Sequence, residues 1–92
     1  MRAPERDTRV RTRAPRAGLS SKEERELAGL PGRIEALEAD VARLRARFAD
    51  PALYRDAPQE VPALQAALAA REAELTEAYV RWEALERRNT PA

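Results

Sequence analysis

The sequence predicts an all-α fold: an antiparallel two-helix coiled-coil hairpin, preceded by a short helix and a disordered basic N-terminal tail. Three observations carry that reading. Leu27, Leu30, Ile34, Leu37, Val41, Leu44 and Phe48 are spaced alternately by three and four, an a/d heptad seam held for three repeats. Val61, Leu68, Leu75 and Trp82 also recur every seven residues, with Leu64 and Leu85 at d. Between the two seams lies a short stretch holding Asp50, Pro51, Asp56 and Pro58, which suits a bend and brings the second helix back along the first.

Composition agrees. The 92 residues are 36% charged and 43% hydrophobic but only 4% aromatic, with three Gly, the balance of long helices and coiled coils in one small domain. No β-branched run is long enough for a strand.

Residues 1–18 contain Pro4, Pro15, Gly18 and scattered arginines, with Val10 the only large aliphatic after Met1. They carry too little apolar surface to offset the entropy of ordering, so they read as a disordered basic linker. The hairpin domain is expected over 19–88. Ser20-Ser21-Lys22-Glu23 fits a capping box at a helix start. Gly29-Leu30-Pro31-Gly32 then interrupts the seam. Proline lacks an amide hydrogen and crowds the carbonyl four residues back, which predicts a kink or break between 28 and 31. A short helix at about 20–29 and a longer one at about 31–49 follow. Asp50-Pro51 ends the latter and can cap one short turn within a tip at 50–57. The last helix is expected from about 58 to 88, before Asn89-Thr90-Pro91.

Antiparallel pairing makes partner residue numbers add to a constant. A compact bend gives 112, setting Leu30 level with Trp82, Leu37 with Leu75 and Leu44 with Leu68. That alignment sets Glu38 near Glu72, Asp40 near Glu74 and Arg33 near Arg81. A slide of one heptad, to 119, exchanges these for Asp40–Arg81, Arg47–Glu74 and Arg45–Glu72. On charge alone the slipped register is preferred, with Leu53 and Tyr54 covering Val61, Leu64 and Leu68.

Several functions are excluded at once. Without Cys or His there is no thiolate nucleophile, imidazole base, disulfide or common zinc site. No G-x-x-x-x-G-K-[ST] loop is present to cradle a nucleotide, and the carboxylates read as a solvated face. No catalytic residue, metal or cofactor is expected. No apolar run approaches a membrane span, and the arginine-rich N-terminus lacks the apolar core of a secretory signal, so a cytoplasmic location is expected.

Charge is uneven. Residues 1–19 hold six Arg against Glu5 and Asp7, a balance of +4, whereas 20–92 hold eleven basic and fourteen acidic side chains, a balance of −3. Arg43, Arg45, Arg47 and Arg55 fall at the closed end with Tyr54, a basic patch with one stacking ring suited to phosphates and a base or sugar. The same arginines also fit a solvated face paired with Glu72, Glu74, Asp50 and Asp56. Arg9, Arg11, Arg13 and Arg16, with Arg2 and Arg6, make a second basic group on the tail, either a non-specific nucleic-acid arm or a plain soluble linker. Arg71 occupies a d position where the seam wants Leu, and is expected to pack its stem and turn its head outward. Trp82 and Tyr79 read as core rather than as a binding platform.

One further pattern is recognisable. Gly18-Leu19-Ser20-Ser21-Lys22-Glu23-Glu24-Arg25-Glu26-Leu27, then Leu30-Pro31 and Arg33-Ile34-Glu35-Ala36-Leu37-Glu38, resemble the C-terminal domain of Uup-type ABC-F ATPases. So do Ala49-Asp50-Pro51-Ala52-Leu53-Tyr54 and Arg81-Trp82-Glu83-Ala84-Leu85-Glu86. The resemblance implies an antiparallel coiled coil that follows two ATP-binding cassettes and a basic linker, and that binds nucleic acid (DNA, ribosomal RNA or tRNA). It implies a piece detached from its cassettes, or a short gene product, with ATP hydrolysis belonging to a parent protein. The alternative is a structural coiled coil that forms homodimers or binds a protein partner.

Overall fold

The computed structural model describes residues 18–89, and all 17 residues that precede them, including Arg9, Arg11, Arg13 and Arg16, lie outside the described part. Helix α1 runs Ser21–Ala49, a short α2 covers Pro51–Asp56, a 3₁₀ turn takes Pro58–Glu60, and α3 runs Val61–Asn89. The two long helices, 29 residues each, pack together as an all-α hairpin with α2 and the 3₁₀ turn at its bend. At 1.5 Å per residue each is a rod of roughly 43 Å.

The start of α1 is the capping box that its sequence spells. The Ser20 hydroxyl accepts from the Glu23 amide at 3.1 Å, and the Glu23 carboxylate accepts from the Ser20 amide at 3.0 Å. The expected break at 28–31 is absent. One helix passes through Pro31, so the separate short helix and the helix from about 31 are a single element. Proline removes one amide bond from the ladder, to the carbonyl of Leu27, but the flanking turns stay in register because Leu30 and Ile34 are both buried in the same seam. Tertiary burial overrides the local cost.

The bend follows the expected chemistry. Asp50 adopts φ −86°, ψ 116°, and ends α1. Its carboxylate accepts from the Ala52 amide at 2.9 Å and caps α2. Pro51 stands at the first helical position, where its missing donor costs nothing. Of the two apolar tip residues only Leu53 turns inward, 1% exposed. Tyr54 was expected to cover the second seam alongside it. Instead it is half exposed, and its hydroxyl donates to the Phe48 carbonyl at 2.8 Å. The tip turn therefore resolves into α2 and the 3₁₀ turn, and α3 begins at Val61 rather than at 58.

The core is richest toward the open end. Leu30, Ile34 and Leu37 of α1 meet Ala78 and Leu85 of α3, with Leu19, Leu27, Leu75 and Trp82 packed around them. Leu85 has no exposed surface. Leu44, Phe48, Val61, Leu64 and Leu68, nearer the bend, are only half-buried.

The register is 112, not the slipped 119. Interhelical partner numbers add to 107 for Arg33–Glu74, Arg47–Glu60 and Arg81–Glu26 along one edge, and to 117 for Arg45–Glu72 and Glu38–Tyr79 along the other. These values lie symmetrically about 112. Trp82 thus stands level with Leu30, where the slipped register would have set it against Leu37 and Ile34. The expected like-charge clashes do not arise because flanking side chains reach diagonally. Arg33 reaches Glu74 at 3.3 Å rather than meeting Arg81, and Glu38 accepts from the Tyr79 hydroxyl at 2.5 Å rather than facing Glu72. Exposed pairs are each worth only ~0.2–1 kcal/mol, so apolar pairing near the compact bend decides.

Candidate nucleic-acid interface

Helical spacing sorts the tip arginines onto different faces. Arg43 and Arg47, one turn apart on α1, border a shallow groove between α1 and α3 of about 410 Å³. Leu44, Leu64 and Ala67 form its apolar lining, and Asp40 and Arg71 complete it. Arg45 borders a different groove, with Val41, Glu72 and Leu75. Arg55 is carried by α2. The single basic patch expected from the sequence is thus divided between two sides of the hairpin and its tip, because residues two apart on a helix diverge by about 200°.

Each of these guanidiniums has a carboxylate neighbour. Arg43 pairs with Asp40, Arg45 with Glu72 at 2.5 Å, Arg47 with Glu60 at 2.6 Å, and Arg55 with Asp56 at 3.0 Å. Two of the four acids expected as partners, Glu72 and Asp56, take that role. Asp50 is spent on capping, and Glu74 receives Arg33 and Arg71. The pairs are wet: the side chains of Arg43, Arg45 and Arg55 are 71, 65 and 70% exposed. Such pairs hold weakly and can exchange a carboxylate for a phosphate.

Arg71 behaves as its position in the seam suggests. Its head turns outward to Glu74 at 2.7 Å while Nε is buried with no hydrogen-bond partner among the described residues. Trp82 is half-buried on the core, and Tyr79 ties α3 to α1 through Glu38.

The open end is stapled electrostatically. Arg88 donates to Glu23 at 2.7 and 3.1 Å, and Arg81 grips Glu26 with two bonds of 2.7 and 2.9 Å. The Arg88 guanidinium and the Ser20 amide together hold the Glu23 carboxyl down at about 2. Arg81 likewise lowers Glu26, and the Glu38 carboxylate pushes the Tyr79 phenol up. Among the described residues no group of three acidic side chains is placed to hold a metal ion, and no helix is long and apolar enough to cross a membrane.

A helical hairpin of this pattern, capped at Ser20 and turned at Asp50-Pro51, defines an antiparallel coiled-coil domain. The chain belongs to the ABC transporter C-terminal domain family, whose model matches residues 18–87. It is 45% identical over 83 residues to an ATP-binding protein Uup-like from Haemophilus influenzae, covering 89% of this chain and 18% of that one. An ATP-binding protein Uup from the same organism is 47% identical over 77 residues, covering 83% and 12%. ATP-binding protein Uup of Escherichia coli is 40% identical over 68 residues, covering 74% and 11%. The chain therefore spans less than a fifth of the length of these relatives. No solved structure matches it.

Proposed function

We propose that the hairpin is a nucleic-acid-binding accessory domain of an ABC-F type ATP-binding protein, contacting DNA or ribosome-associated RNA in the cytoplasm through its arginines. The observation that carries this reading is the exposure of the tip guanidiniums, which surface carboxylates hold too weakly to prevent transfer to phosphate. Arg43, Arg45, Arg47 and Arg55 supply non-specific phosphate contacts around the tip, Tyr54 adds a half-exposed ring, and Arg9, Arg11, Arg13 and Arg16, outside the described residues, contribute further phosphate contacts. The hairpin itself performs no catalysis. ATP hydrolysis falls to the cassettes of a parent protein, with which this domain acts.

Fluorescence anisotropy with a labelled duplex, titrated at several salt concentrations, tests the reading. Each phosphate contact contributes about −0.9 to the slope of log K against log salt. Replacing Arg43, Arg45, Arg47 and Arg55 together by alanine should weaken binding and flatten that slope by roughly 2–4. An unchanged slope and affinity would remove the tip from the interface.

A further inference from the structure

We propose that duplex nucleic acid lies along the outward face of α1, on the stripe that runs from Lys22 to Arg43. The inference rests on the nucleic-acid reading above and names the side of the hairpin that serves it. Residues 22, 25, 29, 32, 36, 39 and 43 recur by three and four on the face turned away from the seam, and all are exposed. Lys22 and Arg25 open the stripe, Arg43 closes it, and only glycine and alanine stand between them.

Two features of this face have no explanation within the fold. Lys22 lies in the first turn of α1, where a cation opposes the helix dipole. Neither it nor Arg25 forms an ion pair among the described residues. Gly29 and Gly32 each weaken an exposed helix, although a Cβ on either would meet nothing within 4 Å. Both features suit a rod-shaped polyanion. At 1.5 Å per residue Lys22 and Arg43 stand about 32 Å apart, close to one duplex turn of ~34 Å, so one strand can meet both ends of the stripe. The opposite strand crosses between them, where short side chains let the two rods stay in contact.

Charge selects this face over its counterpart. Counting Glu35 at its edge, the stripe holds Lys22, Arg25 and Arg43 against one acid, a balance of +2. The matching face of α3 holds Arg87 against Glu77 and Glu83, a balance of −1. On the stripe's other edge Glu26, Arg33 and Arg47 are already tied across the hairpin to Arg81, Glu74 and Glu60. Arg43 shares Asp40 in a pair whose guanidinium is 71% exposed, open to exchange for phosphate.

Anisotropy titrations of the full chain with a labelled DNA duplex test the placement. Lys22→Ala with Arg25→Ala should flatten the salt slope by roughly 2, at about 0.9 per phosphate contact. Arg87→Ala removes one charge at the same height as Arg25, since the register of 112 sets the two level, but on the opposite face. It should leave slope and affinity at the wild-type values. Gly29→Gln with Gly32→Gln keeps the charge, and its helix content is checked by circular dichroism; two long side chains between the rods should lower the affinity. A wild-type slope without Lys22 and Arg25, a wild-type affinity in the glutamine variant, or an equal change per charge in Arg87→Ala would overturn the placement and leave binding by the tip standing. A wild type that binds no duplex would sink both readings.

Discussion

Gly29 and Gly32 offer a sharp test of the continuous first helix. Both are exposed and lie within α1, and a Cβ built on either meets nothing within 4 Å beyond the helix itself. Alanine at either position therefore loses no packing and gains the helix-propensity difference, about 0.5–1 kcal/mol per site. The gain comes mainly from restricting the unfolded chain. Together Gly29→Ala and Gly32→Ala should stabilise the hairpin by ~1–2 kcal/mol, which for a domain of this size raises the melting temperature by roughly 4–16 °C. Thermal unfolding followed by circular dichroism at 222 nm reads it directly. Pro31→Ala, which restores an amide to the ladder in the same turn, should add up to about 3 kcal/mol. If the double glycine variant melts at or below the wild-type temperature, the backbone at 29–32 is not helical in solution. The uninterrupted α1 would then be wrong.

Two other perturbations address the electrostatics and the register. The Glu23 carboxyl is held at about 2 against an ordinary 4.5. Its contribution to stability is therefore present above pH 4.5 and lost as pH falls from there toward 2, so the melting temperature should drop across that window and drop less steeply in Glu23→Gln, as pH-dependent melts will show. For the register, a double-mutant cycle on Arg33→Ala and Glu74→Ala should return a coupling of ~0.2–1 kcal/mol by urea unfolding, whereas coupling found between Asp40 and Arg81 instead would indicate the slipped alignment.

Much of the fold is written locally. The capping box at Ser20, the dual role of Asp50 and the alternation of three and four in both seams all act over a few residues, and each is realised as its sequence implies. The tip arginines were legible as residue types but not as a surface, since whether Arg43, Arg45 and Arg47 share a face depends on which groove the partner helix leaves on either side. Arg71 gave a usable signal, a cation where the heptad wants leucine. What it opens became visible only with Leu44 and Leu64 in place beside it.

The sequence by itself determined that the chain is two paired helices and a bend, because heptad spacing and end-capping are properties of single helices. Tertiary structure alone decided that α1 survives Pro31 and that the register is 112. Both are contests between a local cost and burial shared across two helices. Leu30, Ile34 and Leu85 win them because removing large aliphatic side chains from water outweighs one lost amide bond and several wet ion pairs.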